Sequence, residues 1–287
     1  MVSIGGGHGL ASTLEALRLL GHFPLGVVSV ADDGGSSGRL RRAFGQIPPG
    51  DLRRCLSALI PSDSPWSTLL EFRFSESELK GHALGNLIFT ALNSIHDDPV
   101  MAAIALAELV GAAGCVLPAS LDPLTLVGRK DDGEISGQAQ VTKTAGISEM
   151  RLMPEDPRVP SAVLEAINSA TTITLGPGSL YTSILAVCAI PAIKTALGAS
   201  AARTILVANL ASDGLEAQGM AISEHVAILQ KAGICIDVVL YDDMMISAGT
   251  SAGASTQTTW VRSELSGHDA RMHDTTHLAK ALVPLVL

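Results

Sequence analysis

Asp32 and Asp33 stand side by side at the end of an apolar run, and the groups needed to hold an anion follow closely. Gly34-Gly35-Ser36-Ser37-Gly38 can turn tightly and offers two hydroxyls and bare backbone N–H groups. Arg39, Arg41 and Arg42 bring guanidinium groups, and Pro48-Pro49-Gly50 makes a rigid turn that delivers Asp51. Both prolines fix φ, so Asp51 is expected to N-cap a helix through Leu52, Cys55, Leu56 and Leu59. Acids, hydroxyls, amides and guanidinium groups thus meet at the carboxyl end of a strand, where open α/β sheets bind ligands. A solvated connector would explain the charges, but not the glycine run, the adjacent acids and the proline turn together.

Two further stretches carry the same kind of chemistry. Val2-Ser3-Ile4 reads as a strand, Gly5-Gly6-Gly7-His8-Gly9 follows at once, and a helix is expected from Leu10 or Ala11. Glycines let the backbone approach a phosphate, and the helix N-terminus adds partial positive charge. The strict G-x-G-x-x-G spacing fails, because Leu10 takes the sixth place and Gly9 comes one place early, so the loop alone is equally a tight turn. Ala170 to Leu175 reads as a second such strand, leading into Gly176-Pro177-Gly178-Ser179-Leu180-Tyr181-Thr182-Ser183 and a helix through Ile184 and Val187. Here hydroxyls accompany the glycines, and a helix start aims several N–H groups at one point. The two loops are expected on neighbouring strands, facing one cleft. Gly81-His82-Ala83-Leu84-Gly85-Asn86 opens another helix, where His82 and Asn86 at i,i+4 spacing share a face, whether for a ligand or for structure.

The elements that must position these groups alternate in α/β fashion. Val27, Val28 and Val30 make a buried strand ahead of Asp32. Pro65 to Phe74 reads as a helix, with Trp66 as a core or lid residue. Cys115 to Leu117 reads as a strand, and Leu124 to Val127 and Glu134 to Val141 flank a hairpin turn at Lys130-Asp131-Asp132-Gly133. Glu149 to Leu152 adds a short strand, so residues 114–153 read as a β-rich insertion in a single domain spanning 1–287. Met153 to Pro160 reads as a crossing loop. Thr204 to Ala208 is a strand with Asn209 just past its end, and Asp213-Gly214 turns the chain. Ile222 to Lys231 reads as a helix, Ile236 to Leu240 as a strand, and Thr275 to Leu285 as a last helix. The fold class is α/β, a Rossmann-like three-layer sandwich around a mostly parallel sheet.

The composition narrows the function classes. At 287 residues and 47% hydrophobic content the chain can bury a large core, and with 3% aromatics that core is aliphatic. A net charge of −9 excludes the basic footprint of a nucleic-acid binder, so any anion must be held by a local site. Cys55, Cys115, Cys188 and Cys235 show no C-x-x-C spacing and are expected to be buried free thiols in a reducing cytoplasm. Met1 leads straight into a strand, so no signal peptide is expected. Val100 to Leu117 is apolar enough to raise a membrane question, but Glu108, Gly111 and Gly114 favour a buried helix running into a strand.

Taken together, GGGHG at Gly5–Gly9, ADDGGSSGRLR at Ala31–Arg41, PPGDLR at Pro48–Arg53, GHALGNL at Gly81–Leu87, GPGSLYTS at Gly176–Ser183 and HDTTHLA at His273–Ala279 resemble one family almost end to end. The chain resembles the YvcK-like gluconeogenesis factors and, more distantly, the 2-phospho-L-lactate transferase (CofD) group. The Ser36-Ser37-Gly38-Arg39 and Pro48-Pro49-Gly50-Asp51 forms are closer to the YvcK branch. This resemblance implies a Rossmann-like fold and a site for a nucleotide sugar, UDP-N-acetylglucosamine or a related UDP-sugar, in a protein tied to cell shape, cell-wall precursor control and gluconeogenic growth. It assigns His8, Asn209 and, one place out of register, Arg271 to that ligand. NAD in the same cleft follows by analogy. The transferase branch implies a divalent metal, Mg²⁺, at Asp33 and Asp51. The expected ligand contacts are then Gly5, Gly6, Gly7, His8, Gly9, Asp32, Asp33, Ser36, Ser37, Arg39, His82, Asn86, Gly176, Gly178, Ser179, Thr182, Asn209 and Arg271, in a cytoplasmic homo-oligomer, expected as a dimer. Two departures bear on the sugar end. After Asn209 the YvcK branch reads TQPGET or similar where this chain has Leu-Ala-Ser-Asp-Gly-Leu-Glu-Ala, and the apolar stretch after Ser183 lacks the usual Pro-Asn or Pro-His pair.

Three readings follow. The first is a nucleotide-sugar-binding regulator without strong catalysis. The second is a Mg²⁺-dependent transferase, since hard cations take carboxylate oxygens and bridge phosphates. The third is an NAD-dependent oxidoreductase, because Asp32 and Asp33 fall where a ribose-binding acid belongs, although no proton relay is specified.

Overall fold

The computed structural model describes residues 1–130, 133–147, 149–211, 215–244, 247–249 and 258–286. The chain begins with β1 (Val2–Gly5), α1 (Gly7–Leu19), β2 (Leu25–Val28), α2 (Gly35–Phe44), α3 (Gly50–Ser57), α4 (Pro65–Glu71), α5 (Leu84–His96), α6 (Pro99–Val110) and β3 (Cys115–Pro118). A small excursion follows, β4 (Thr125–Lys130), β5 (Gly133–Ser136), α7 (Gln138–Val141) and β6 (Glu149–Met153). The second half runs α8 (Ser161–Ser169), β7 (Thr172–Leu175), a π-helical turn (Leu180–Leu185) continuing into α9 (Ala186–Cys188), α10 (Pro191–Ala199), β8 (Arg203–Val207), α11 (Ile222–Lys231), β9 (Val238–Tyr241), β10 (Thr259–Arg262) and α12 (Thr275–Val286).

The main sheet has seven strands in the order β10-β9-β8-β7-β1-β2-β3. Every pairing in it is parallel. A parallel sheet under flanking helices is buried on both faces, which is why β1 and β7 are buried along their whole length and β2 at all but its first residue. Polar atoms between the central strands find partners, with Thr174 Oγ1 donating to Ser3 Oγ at 2.7 Å. The strand order reverses between β1 and β7, the switch point at which doubly wound sheets open a crevice. The core is aliphatic as expected. α1 and α12 pack on β8 and β9 through Leu17, Ile205, Val207, Leu240, Leu278 and Leu282, and among the described residues Phe89 is the one aromatic side chain among the largest fully buried ones.

Several expected boundaries shift for physical reasons. β3 pairs with β2 in the main sheet, so the small antiparallel sheet β5-β4-β6 starts only at Thr125 and not at residue 114. Glu134 to Val141 is not one strand, because Gly137 at φ +100° ends β5 and α7 begins behind it. The hairpin residues Asp131 and Asp132, and the turn at Asp213-Gly214, lie outside the described residues. Pro99–Val110 is a helix capped by Asp98, whose carboxylate accepts from Val100 N at 2.7 Å, and closed by Gly111 at φ +64°. No single helix among the described residues is long and apolar enough to cross a membrane. Cys55 and Cys188 are buried free thiols, but Cys115 is half-buried and Cys235 exposed, because Cys235 lies in the loop ahead of β9 and not in a core element.

The two halves of the sheet meet where α1 passes the loop after β7. A methyl group on Gly9 would collide with the Pro177 carbonyl and stand 3.0 Å from Gly178 N. Gly9→Ala is therefore expected to force the two loops apart at a cost of about 1–3 kcal/mol, a melting temperature lower by roughly 3–10 °C in a thermal scan.

Candidate functional site

α1 starts at Gly7, ahead of the expected Leu10, because Gly6 takes an extended N-cap conformation and Gly7 turns at φ +63°. The glycine loop is thus itself the first turn of the helix and lines the crevice through Gly6, Gly7, His8 and Gly9. Across the crevice, Gly176 sits at φ +74° and Gly178 at φ +142°, both in the region that favours glycine. The two loops are laced together. Gly176 N donates to Ile4 O at 2.8 Å, and Thr13 Oγ1 of α1 donates to Gly176 O at 2.9 Å. Ser179 Oγ accepts from Thr182 N at 3.1 Å and caps the π-helical turn.

Between them lies a cleft of about 490 Å³. From the expected set it gathers Gly6, Gly7, His8, Gly9, Gly178, Ser179, Thr182, Asn209 and Arg271. It also takes Ser12, His273, Gln138 of α7 and Thr142 just behind that helix. Asn209 does more than face the opening. Its Oδ1 accepts from Gly178 N at 2.6 Å and its Nδ2 donates to Gly178 O at 3.0 Å, so the amide clamps the second loop. His273 Nε2 donates to Ala208 O at 3.1 Å, and burial pushes its pKa down to about 4, which keeps the ring neutral. His8 is also shifted downward, first by burial and then by Arg54, Arg53 and Arg73.

The remaining expected contacts gather elsewhere. Gly34–Gly38 is not a free loop but the start of α2, with Gly34 as its N-cap. Asp32, Ser36, Ser37 and Asn86 line a separate cavity of about 220 Å³ with Arg53, Arg54 and Arg73. His82 precedes α5 instead of lying on it, yet it still joins Asn86. Asn86 Nδ2 donates to Ser36 Oγ at 3.0 Å, which leaves the Ser36 proton for His82 Nδ1 at 2.9 Å. Asn86 Oδ1 accepts from Arg53 Nε at 3.2 Å, and Arg53 is also ion-paired with Glu71. Burial first, then Arg54 and Arg73, draw the Arg53 pKa down to about 10. Arg39 is exposed and donates to Lys80 O at 2.7 Å. Gly5 sits behind the cleft, its carbonyl accepting from Ser29 N at 2.8 Å.

Asp51 lies between the two cavities and is not the N-cap of α3, where Pro49 stands. Its carboxylate reaches across to Gly7 N of α1 and accepts from Arg54 Nη1 at 2.8 Å. Burial, with Asp32 nearby as the second cause, raises its pKa to about 6. Asp33 turns the other way, its Oδ1 accepting from Ala139 N of α7 at 3.0 Å. The structure thus sends the Asp33 and Asp51 carboxylates to different partners, and the acid beside Asp51 is Asp32. The described residues hold no group of three or more His, Cys, Asp or Glu side chains placed for a metal ion. As they stand, Asp33 and Asp51 do not fit a shared metal site.

Gln138, Thr142, Arg54 and Arg73 did not stand out as site residues in the sequence. Gln138 was hidden inside a segment that reads as strand and Thr142 lay just past its end, and the arginines lay in ordinary amphipathic surroundings. The signal for Arg53 and Arg54 was their place directly behind Asp51 on a short helix.

The fold and site define a doubly wound α/β protein whose two glycine loops bound one crevice at the switch point. The chain belongs to the CofD family, described as 2-phospho-L-lactate transferase CofD, which it matches over residues 1–282. It is 41% identical over 245 residues to a Mycobacterium leprae protein named "Putative gluconeogenesis factor", covering 80% of this chain and 67% of that one. It is 36% identical over 250 residues to the "Gluconeogenesis factor" of Halalkalibacterium halodurans, covering 86% and 76%. A solved structure of a UPF0052 family member from Bacillus halodurans superposes with a TM-score of 0.92 at 29% identity, covering 98% of this chain and 97% of that one. Against a Nostoc relative, 37% identical, the chain spans 54% of the length.

Two outcomes follow from this geometry. Asn209→Asp keeps an acceptor for Gly178 N but sets a carboxylate oxygen against Gly178 O. It is expected to destabilise the fold by about 1–3 kcal/mol in denaturant titration. Asp51 has a folded pKa above its unfolded value of 3.8, so its stabilising contribution is full below about pH 4 and lost as pH rises through about 6. Measured against Asp51→Asn, the parent should therefore lose on the order of 3 kcal/mol of relative stability between pH 4 and pH 7. A flat difference across that range would show that the carboxyl is not held in its neutral form.

Proposed function

We propose that the chain is a regulatory protein of the gluconeogenesis factor type that binds a nucleotide sugar, UDP-N-acetylglucosamine or a related UDP-sugar, and links that ligand to cell shape and cell-wall precursor control. One observation carries the reading: two glycine-rich helix starts, on adjacent parallel strands, open onto a single cleft of about 490 Å³. Backbone N–H groups at helix starts suit a diphosphate. The volume lies within the range that small-molecule and cofactor sites occupy, roughly 300–1,000 Å³. Burial and the nearby Arg54, Arg53 and Arg73 draw the His8 pKa down, and phosphate charge beside the ring would act in the opposite direction, so His8 is placed to hydrogen-bond a phosphate oxygen. Gln138 and Thr142 supply amide and hydroxyl groups on the α7 side, suited to a base edge or sugar hydroxyls. NAD is the natural competitor for the same cleft.

A second reading, phosphotransfer of the CofD kind, draws on the mutual repulsion of Asp32 and Asp51 beside the cleft. The two are told apart by Asp51→Asn. A binder keeps its UDP-sugar affinity, and a transferase loses turnover.

The test is calorimetric titration of UDP-N-acetylglucosamine, UDP and NAD into the parent and Gly178→Val. UDP-N-acetylglucosamine should bind most tightly and, at 100 times its Kd, raise the unfolding free energy by about 2.7 kcal/mol. The valine blocks the approach of phosphate and strains the backbone at φ +142°, so affinity should fall more than about tenfold, or 1.4 kcal/mol. Equal affinity in both proteins would reduce this loop to a turn and remove the cleft as the nucleotide site.

A further inference from the structure

The second cavity has a chemistry of its own. It is less than half the size of the cleft, about 220 Å³ against about 490 Å³, and too small for a nucleotide. α2 starts in its wall with Gly35, and carries no acidic residue in its first turn. The leading N–H groups of a helix have no partner within the helix. Three guanidinium groups line the same space, Arg53, Arg54 and Arg73, with Asp32 the one lining carboxylate; Arg54 also bonds Asp51 and Arg53 pairs with Glu71 from outside it, which leaves their remaining N–H groups for a ligand. That carboxylate is already engaged, accepting from Gly34 N at 2.9 Å.

Ser37 supplies an independent sign. It is only 4% exposed and lines the cavity, yet among the described residues its hydroxyl has no hydrogen-bond partner. The residue is nearly buried while it lines the cavity, so an oxyanion entering there meets a donor that none of the described residues occupies. The Ser36 hydroxyl beside it is fully used by His82 and Asn86, which hold α2 in place instead of facing a ligand.

We propose that this cavity is a second, separate binding site, one that takes the phosphate group of a small molecule or free phosphate. Ser37 and the first-turn N–H groups of α2 receive the oxyanion from one side and Arg53, Arg54 and Arg73 from the other. Guanidinium forks match phosphate oxygens in geometry as well as charge. Arg53 is depressed first by burial and then by Arg54 and Arg73, and an anion between the guanidinium groups offsets that mutual repulsion. The proposal does not depend on which ligand fills the larger cleft.

The experiment uses the full chain at constant ionic strength. Inorganic phosphate is titrated against potassium chloride while the backbone amide resonances of Gly34, Gly35, Ser36 and Ser37 are followed with the melting temperature. Phosphate should shift these amides to saturation and raise the melting temperature, and chloride should do neither. Ser37→Ala removes a hydroxyl that bonds to nothing, so it should melt like the parent yet bind phosphate at least about threefold more weakly; Arg73→Met, at the exposed rim, should weaken binding by about tenfold. Equal effects of chloride, or unchanged phosphate affinity in both variants, would overturn the proposal. Glycerol 1-phosphate identifies the source. If it displaces phosphate, the site takes an ester, and if it does not, the site takes free phosphate; either result requires that the site exists. A UDP-N-acetylglucosamine titration on the same samples reports separately on the larger cleft, so either reading can fail alone.

Discussion

The close approach of two backbones at the switch point is the constraint on which the rest of the structure depends. α1 and the loop after β7 come together so tightly that Gly9 must lie against the Pro177 carbonyl. Nothing larger than a hydrogen fits. Thr13 and Asn209 then fix the second loop from two directions, one from α1 and one from the end of β8. Because both loops begin helical turns, their proximity converts two separate N-terminal dipoles into one concave surface. The cleft is the space left over once these contacts are made. Gly6, Gly7, Gly9 and Gly178 contribute bare backbone to its walls, and that part of its shape does not depend on side-chain rotamers.

Charge is distributed on the same plan. The chain is acidic overall, at −9, yet its arginines collect around Asp51 and α2. Acid and base are not simply paired there. Arg54 bonds Asp51, Arg53 pairs with Glu71, and Asp33 is drawn away to the N-terminus of α7. One acidic dipeptide therefore serves two purposes, with Asp32 caught in the electrostatics of the inner cavities and Asp33 fastening the antiparallel excursion. The small sheet is tied a second time through Leu215 N, which donates to Thr142 O at 2.9 Å. Gln138 and Thr142 are held over the cleft by both attachments.

Much of this was legible in the sequence because it depended on local spacing. A short apolar run followed by glycines marks a buried parallel strand and a backbone-lined turn, so β1, β7 and their loops could be read directly, and so could their convergence on one cleft. Motif resemblance gave the family, now shown by identity across most of the chain. What could not be read depends on long-range direction. The adjacency of Asp32 and Asp33 concealed that they point to opposite partners, since alternate residues of an extended segment face opposite ways. Asp51 looked like a cap for its own helix and instead serves the first turn of α1, a choice set by how α3 packs on α1. The division of the expected contacts into two cavities likewise arises from α2 starting at Gly35, where the glycine run reads as loop.

The position of β1 has a consequence for how the molecule is made. Of the strands in this sheet, the earliest in sequence is a central one, flanked by β2 on one side and β7 on the other. Its pairing with β2 is available almost at once, but Val2 meets Ile173 only after most of the chain exists. At ribosomal speeds of about 5–20 residues per second, that interval is roughly 10–35 s. During it, the apolar edge of β1 and one wall of the crevice have no neighbour. Contacts of such sequence separation form late and slowly. The nascent protein must therefore keep a finished half-sheet with an open, unprotected edge in solution until its counterpart arrives, and the crevice comes into being in the same event that closes that edge.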